Sequence, residues 1–281
     1  MKTKKFRIIE KRNLAPRIKL LSLKAPLIAA RCRPGQFVVI RINEEGERIP
    51  LTIACHDTKR GSITIVVQDA GRSTGELCRM EKNQFIEDVL GPLGIPTPIK
   101  KIGTVLCVGG GVGVALLYPE AKKHKEIGNE VISVMGARSK ELMFFQEEME
   151  KISNQIHYST DDGSFGHHGF VTDLVRKILE TGKSINEAIV IGPIPMMKAV
   201  CHITKEYKIK TIVSLNPIML DATGMCGTCR VKIGGQTKFA CVDGPDFDGH
   251  LVDFDELMQR QKRFVKEEKI ALNYRRNPEG K

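Results

Sequence analysis

At 281 residues the chain exceeds a single ordinary core, and a 41% hydrophobic share suits two or three folded domains rather than a fibrous or disordered polypeptide. No stretch is long and apolar enough to span a bilayer, and the start, MKTKKFRIIEKR, lacks the apolar run of a secretory signal, so a cytoplasmic protein with no membrane association is expected. The net charge of +11 falls unevenly, with 19 Lys and Arg against 10 Asp and Glu in residues 1–100, but scattered basic residues, no tryptophan and only 5% aromatics disfavour nucleic acid as a partner.

Residues 1–99 read as short apolar or alternating runs broken by turns: FRIIEKR, IKLLSLKAP, PGQFVVIRI, RIPLTIACH and GSITIVVQDAG. Strands at that spacing predict a small antiparallel β barrel. Over residues 100–218 the pattern becomes α/β. TVLCVGGGVGVALLYPEAKKHKEIG is a strand, a glycine loop and a helix, and EVISVMGARS with ELMFFQEEMEKI is the next strand and helix. NQIHYSTDDGS, HGFVTDLVRKILETG, EAIVIGPIPMMKAVCHITKEY and KIKTIVSLNPIML continue the alternation, which predicts a doubly wound parallel sheet. Residues 219–262 hold a small cysteine-rich unit and 263–281 a charged tail. Cys32, Cys55, Cys78, Cys107 and Cys201 stand apart in ordinary segments and are expected to be buried small hydrophobes.

Gly109, Gly110, Gly111 and Gly113 follow the first parallel strand, where missing side chains let backbone approach a ligand and aim helix amides at an anion. Alone, such a loop serves equally well as a steric strand-to-helix turn. STDDGSFG and GPIPMM also follow parallel strands, so three loops gather at the carboxyl edge of the sheet, where open α/β folds bind ligands. In DATGMCGTCRVKIGGQTKFAC, four residues separate Asp221 from Cys226, two separate Cys226 from Cys229, and eleven lead on to Cys241. RVKI, Gly234, Gly235 and QTKFA read as a hairpin that returns Cys241 to the other sulfurs. Plant-type [2Fe–2S] centres use this spacing with cysteine in the place of Asp221. A carboxylate there is the economical fourth ligand, with His250 a more distant candidate, while LDATG also reads as an ordinary turn in which Asp221 caps the backbone. A zinc ribbon, which also accepts a CxxC pair and a carboxylate, stays open as a rival.

The order of barrel, GGGVG, TDDGSFG and GPIPMM resembles the ferredoxin reductase superfamily of flavin and pyridine-nucleotide oxidoreductases. The resemblance implies FAD on the barrel, with RIPLT supplying Arg48, Pro50, Leu51 and Thr52. Thr52 would sit by the reactive edge of the isoalloxazine as the catalytic residue. Arg48 would balance the pyrophosphate, although it stands one residue earlier than the common pattern. Val67, Gly71, Ser73 and Thr74, around GRSTGEL, would complete the FAD site. Gly109, Gly110, Gly111, Gly113, Asp161, Asp162, Gly192, Pro193 and Met196 would receive NAD(H) or NADP(H). NADH is favoured, while Arg138 or Lys140 in GARSKE offers a 2′-phosphate a partner.

With its cysteine unit the whole layout resembles the electron-transfer subunits of dihydroorotate dehydrogenase. With Asp221 as first ligand it resembles the small subunits of NADH-dependent reduced ferredoxin:NADP oxidoreductases. That implies a [2Fe–2S] cluster on Asp221, Cys226, Cys229 and Cys241, a heterodimer with a larger flavin and iron–sulfur subunit, and ferredoxin as an indirect partner in electron bifurcation. A stand-alone NADH-dependent reductase, a zinc-binding interaction protein and a basic nucleic-acid binder remain as other readings.

Overall fold

The computed structural model describes residues 5–276. Its first part is an antiparallel barrel sheet. Strands β1 (Phe6–Ala15), β2 (Ile18–Lys24), β3 (Phe37–Arg41), β4 (Arg48–Asp57), β5 (Ser62–Gln68), β6 (Phe85–Ile86) and β7 (Asp88–Leu93) pair in the order β6-β1-β2-β5-β4-β3-β7. Helices α1 (Pro26–Ala29) and α2 (Arg72–Arg79) interrupt them. Alternation along β4 and β5 sends Ile49, Leu51, Ile53, Ile63, Ile65 and Val67 into the barrel core, which leaves Arg48, Pro50 and Thr52 on the opposite face of β4. Among the isolated cysteines, Cys32, Cys78, Cys107 and Cys201 are buried as expected. Cys55 is exposed, a correction that follows from its position beyond the irregular pairing between Ile53 and Cys55.

The second part is a sheet in which β8 (Thr104–Gly110), β9 (Glu130–Ala137), β10 (Gln155–Thr160), β11 (His167–His168), β12 (Glu187–Ile191) and β13 (Lys210–Ser214) run parallel, in the order β11-β10-β9-β8-β12-β13. Helices α3 (Gly113–Glu126), α4 (Gln146–Ile152), α5 (Val171–Glu180) and α6 (Ile194–Glu206) are its crossovers. Strand order reverses at β8, so a crevice opens between the turns that follow β8 and β12. Helix α4 is shorter than ELMFFQEEMEKI suggests. Met143, Phe144 and Phe145 turn into the core instead, and Phe145 adopts a left-handed φ of 61° just before the helix begins.

The cysteine unit consists of hairpin β14 (Arg230–Ile233) and β15 (Gln236–Phe239), a short α7 (Ala240–Asp243), β16 (Asp246–Asp248) and α8 (Phe254–Gln261). Strand β16 has no apolar signature in the sequence, yet it pairs antiparallel with β13 and extends the parallel sheet. Cys229, Val231, Ala240 and Cys241 consequently share a core with Leu106 and Val190 of that sheet and with Phe37 and Val39 of the barrel. In the charged tail Val265–Arg276 forms helix α9; residues 277–281 lie outside the described residues.

Where the three parts meet, Asp246 Oδ2 accepts a hydrogen bond from Thr97 Oγ1 at 2.5 Å. Asp246 is half-buried as a residue, but its Oδ1 is sealed from solvent without a hydrogen-bond partner, as is Oε2 of Glu120, which is 1% exposed. Burial raises the Asp246 carboxyl to about 6. Burial, then the charge of Asp246, holds Glu120 well above the usual carboxylate range. Carboxyls that keep their protons more tightly in the folded chain than in the unfolded one favour folding fully below about pH 4, and that contribution is lost as pH rises through the folded values. Glu120→Gln, neutral at every pH, is therefore expected to lose less thermal stability than the wild-type chain between pH 5 and 8. Melting curves that stay parallel across that range would contradict this.

Candidate functional site

Two turns shape the crevice. A Cβ on Gly113 would overlap the Ile191 carbonyl, and one on Gly110 would overlap the Met196 sulfur, so glycine at these positions lets the turns after β8 and β12 close on each other. Gly111 has φ +53° and faces open space. There a cavity of about 730 Å³ is lined by Gly110, Gly111, Gly113, Gly192, Pro193 and Met196. Gly109 stands behind this wall and packs against Val114 and Leu117 of α3. Glycine backbone beside a helix start suits a pyrophosphate, and the volume suits a nucleotide.

The loop after β10 divides its two aspartates. Asp161 lines the cavity, whereas Asp162 turns away, accepting hydrogen bonds from the amide and hydroxyl of Ser164, which hold its carboxyl below the usual range. Arg138 lines the cavity, while the Lys140 ammonium lies 5.7 Å from the centre of the Phe165 ring. Several lining residues carry no motif. Phe170, 64% exposed, stands at the wall, and Asn216 follows β13. Asn216 was legible from the carboxyl-edge rule; Phe170 carried no signal beyond being an aromatic before a helix. Ile18 and Gln68 of the barrel complete the wall, so barrel and parallel sheet share one cavity.

On the barrel, Arg48 is exposed and forms no ion pair among the described residues, Pro50 and Thr52 are half-buried on the same face of β4, and Thr52 pairs with Phe37 across to β3. The Leu51 side chain packs against the barrel core and Val67 is fully buried in it, which leaves their backbone alone for a ligand. GRSTGEL runs into the start of α2. Gly71 is its N-cap, and Thr74 Oγ1 accepts the amides of Gly71 at 2.9 Å and Ala70 at 3.1 Å. Ser73 donates its hydroxyl hydrogen to the Glu47 carboxylate. Both hydroxyls are thus tied to the protein. A helix start beside an unpaired arginine and a polar strand face fits a flavin nucleotide's pyrophosphate and ring.

In the cysteine loop the donors fall into two pairs. Asp221 Oδ2 accepts the Cys226 amide at 3.0 Å, which sets the carboxylate beside that cysteine. Cys229 Sγ donates to Cys241 Sγ at 3.2 Å. The Thr223 amide, first among its contacts, holds the Asp221 carboxyl low, and the Asp221 amide, then the Thr228 hydroxyl, hold the exposed Cys226 thiol low. Burial and the Cys229 contact push Cys241 up to about 12. Among the described residues no three His, Cys, Asp or Glu side chains converge on a single point. Two neighbouring pairs suit the two irons of a [2Fe–2S] centre better than one tetrahedral ion. His250 does not join them, because its Nε2 bonds Thr204 Oγ1 at 3.1 Å.

Known proteins share these features. A family model described as the iron–sulfur cluster binding domain of dihydroorotate dehydrogenase B matches residues 216–253, and one described as an oxidoreductase NAD-binding domain matches residues 107–202. The dihydroorotate dehydrogenase B (NAD(+)) electron transfer subunit homolog of Thermotoga maritima is 46% identical over 94% of this chain and 93% of its own. The dihydroorotate dehydrogenase B (NAD(+)) electron transfer subunit of Geobacillus thermodenitrificans is 33% identical over 85% of this chain and 94% of its own. A solved structure from work on flavin-based electron bifurcation, that of the NADH-dependent reduced ferredoxin-NADP oxidoreductase, superposes with a TM-score of 0.91 at 44% identity, covering 96% of this chain and 98% of that one. Ferredoxin-NADP+ reductase from Plasmodium falciparum, 16% identical with a TM-score of 0.59 over 72% of this chain and 89% of its own, shares the fold alone.

Phe170 offers the cavity its exposed aromatic face, and stacking of a base on such a face contributes about 1–3 kcal/mol. Phe170→Ala is expected to weaken NADH binding by about 5- to 150-fold, read as fluorescence quenching on titration. An unchanged Kd would remove Phe170 from the nucleotide site.

Proposed function

The chain belongs to the family of dihydroorotate dehydrogenase B electron-transfer subunits and their homologues, and from that premise we propose that it moves electrons between NAD(H), FAD, a [2Fe–2S] cluster and a larger catalytic subunit. The observation that carries this reading is the continuity of one wall. The cavity runs from Ile18 and Gln68 of the barrel, past the glycine turns, to Asn216, five residues before Asp221. A site that exchanges hydride and a site that exchanges single electrons thus share one framework. A flavin held on the barrel would supply the chemistry that joins them, the exchange between paired and single electrons.

The residues of this chain position and enclose. Gly110, Gly111 and Gly113 give the pyrophosphate its approach, and Pro193 and Met196 wall the side toward the parallel strands. Thr52 and Arg48 present a hydroxyl and a cation on the barrel face where flavin is held. Asp221, Cys226, Cys229 and Cys241 hold the cluster. No acid or base is required, because the transfers leave and arrive as hydride or electrons and the main task is alignment.

Met225, 86% exposed, with Leu220 and Val242, rims the cysteine loop with apolar surface that suits the larger subunit. The likeness to the NADH-dependent reduced ferredoxin-NADP oxidoreductase favours a flavin and iron–sulfur partner in electron bifurcation, with ferredoxin reached through it and NADH as this chain's nucleotide. The match over residues 216–253 favours a second reading, a dihydroorotate dehydrogenase partner. All eight cysteines are free, no helix among the described residues is long and apolar enough to cross a membrane, and a cytoplasmic setting fits both.

Anaerobically purified protein is expected to show flavin absorption over a broad iron–sulfur envelope, both bleached by NADH. A colourless protein would overturn the reading. Asp221→Cys is expected to keep the centre while changing its spectrum and midpoint potential; no change in either would remove Asp221 from the ligand set.

A further inference from the structure

Two arginines grip consecutive carbonyls of the CxxC loop from outside. Arg230 Nη1, at the start of β14, donates to Gly227 O at 3.0 Å. Arg260 Nη2, in the last turn of α8, donates to Thr228 O at 3.0 Å. In a trans peptide the carbonyl and the amide of one unit point in opposite directions. Holding these two oxygens therefore fixes the orientation of the amides of Thr228 and Cys229, which belong to the same peptide units.

The reach of Arg260 is built, not incidental. Asp253 caps α8 by accepting the Glu256 amide at 3.0 Å, and Leu257 buries its inner face. Lys198 of α6 pairs with Asp255 at 2.6 Å, and Gln261 Nε2 donates to Asn216 O at 2.9 Å, which ties the same helix to the wall of the nucleotide cavity. The charges are unusual as well. Arg230, Arg260 and Arg263 form no ion pair among the described residues, although Glu256 is near. Burial, then repulsion from Arg230 and Arg263, pulls the Arg260 guanidinium below its usual value. Cations gathered in this way call for an anion, and the side they flank is the cysteine loop.

Resting on the assignment of the cluster to Asp221, Cys226, Cys229 and Cys241, we propose that Arg260, assisted by Arg230, is a positioning residue for the cluster: it fixes the orientation of the loop amides and favours the reduced centre by its charge. One electron taken up by the centre adds one negative charge, which a fixed neighbouring cation stabilises. Removing that cation makes reduction harder.

The test is an EPR-monitored redox titration of the anaerobic full-length protein, with iron measured on every sample. Arg260→Gln is expected to retain its iron and move the midpoint to a more negative potential. Arg260→Lys, which restores the charge, should return it toward wild type, and Arg263→Gln, which leaves the loop contact in place, should move it less. A wild-type midpoint in Arg260→Gln at wild-type iron content would overturn the proposal. If Arg260→Gln loses the centre while far-ultraviolet circular dichroism shows the fold intact, retention by Arg263→Gln supports positioning, and equal loss from both contradicts it. Wild-type protein without iron would instead overturn the cluster assignment itself.

Discussion

The antiparallel pairing of Asp246–Asp248 with Ile212–Ser214 ties the cysteine unit to the parallel sheet, and the rest of the arrangement depends on it. The Leu215 amide donates to Pro245 O at 2.9 Å and the Gly249 amide to Thr211 O at 2.8 Å, which extends the pairing at both ends. On the barrel side the Ile95 amide donates to Gly244 O at 2.7 Å. Three chain segments distant in sequence are therefore fixed around one short strand. Single-electron exchange needs donor and acceptor held at a constant separation, and a tethered unit with its own motion would not provide that. The shared core of Phe37, Val190, Cys229 and Cys241 provides the rigidity.

Within that frame the two kinds of chemistry separate by environment. The cavity between barrel and parallel sheet is walled mainly by glycine, proline and apolar side chains, with Gln68, Arg138, Asp161 and Asn216 among its polar points, so it offers shape and backbone plus a few directed polar groups. The cysteine loop sits at the surface with cations beside it, so it suits a group that changes charge by one unit. Helix α8 touches both, through Gln261 on Asn216 and Arg260 on Thr228.

Much of this was legible in the sequence, and the reasons differ by element. The parallel strands are continuous apolar runs, TVLCV and EAIVI, that can only be buried, and the glycines after the first mark where two turns must close. The cysteine spacing was legible because a CxxC pair and a hairpin that returns a third cysteine leave little freedom in where the sulfurs lie. What could not be read was set by tertiary contacts. Strand β16, sequence DFD, has no strand pattern and exists because β13 offers it an edge. Met143, Phe144 and Phe145 carried a helical period but were drawn into the core. Val67 and Thr74 belonged to a motif whose order was visible, yet strand alternation put one into the barrel and helix capping occupied the other. Arg260 gave no signal, since an arginine on an amphipathic helix ordinarily marks solvent.

The arrangement calls for two irons beside a flavin on this one chain. Iron, acid-labile sulfide and flavin determined together on anaerobically purified protein test it most directly. About two irons, two sulfides and one FAD per chain are expected, with the iron and sulfide lost and the FAD kept in Cys226→Ser. Zinc in place of iron, or iron unaffected by that substitution, would contradict it.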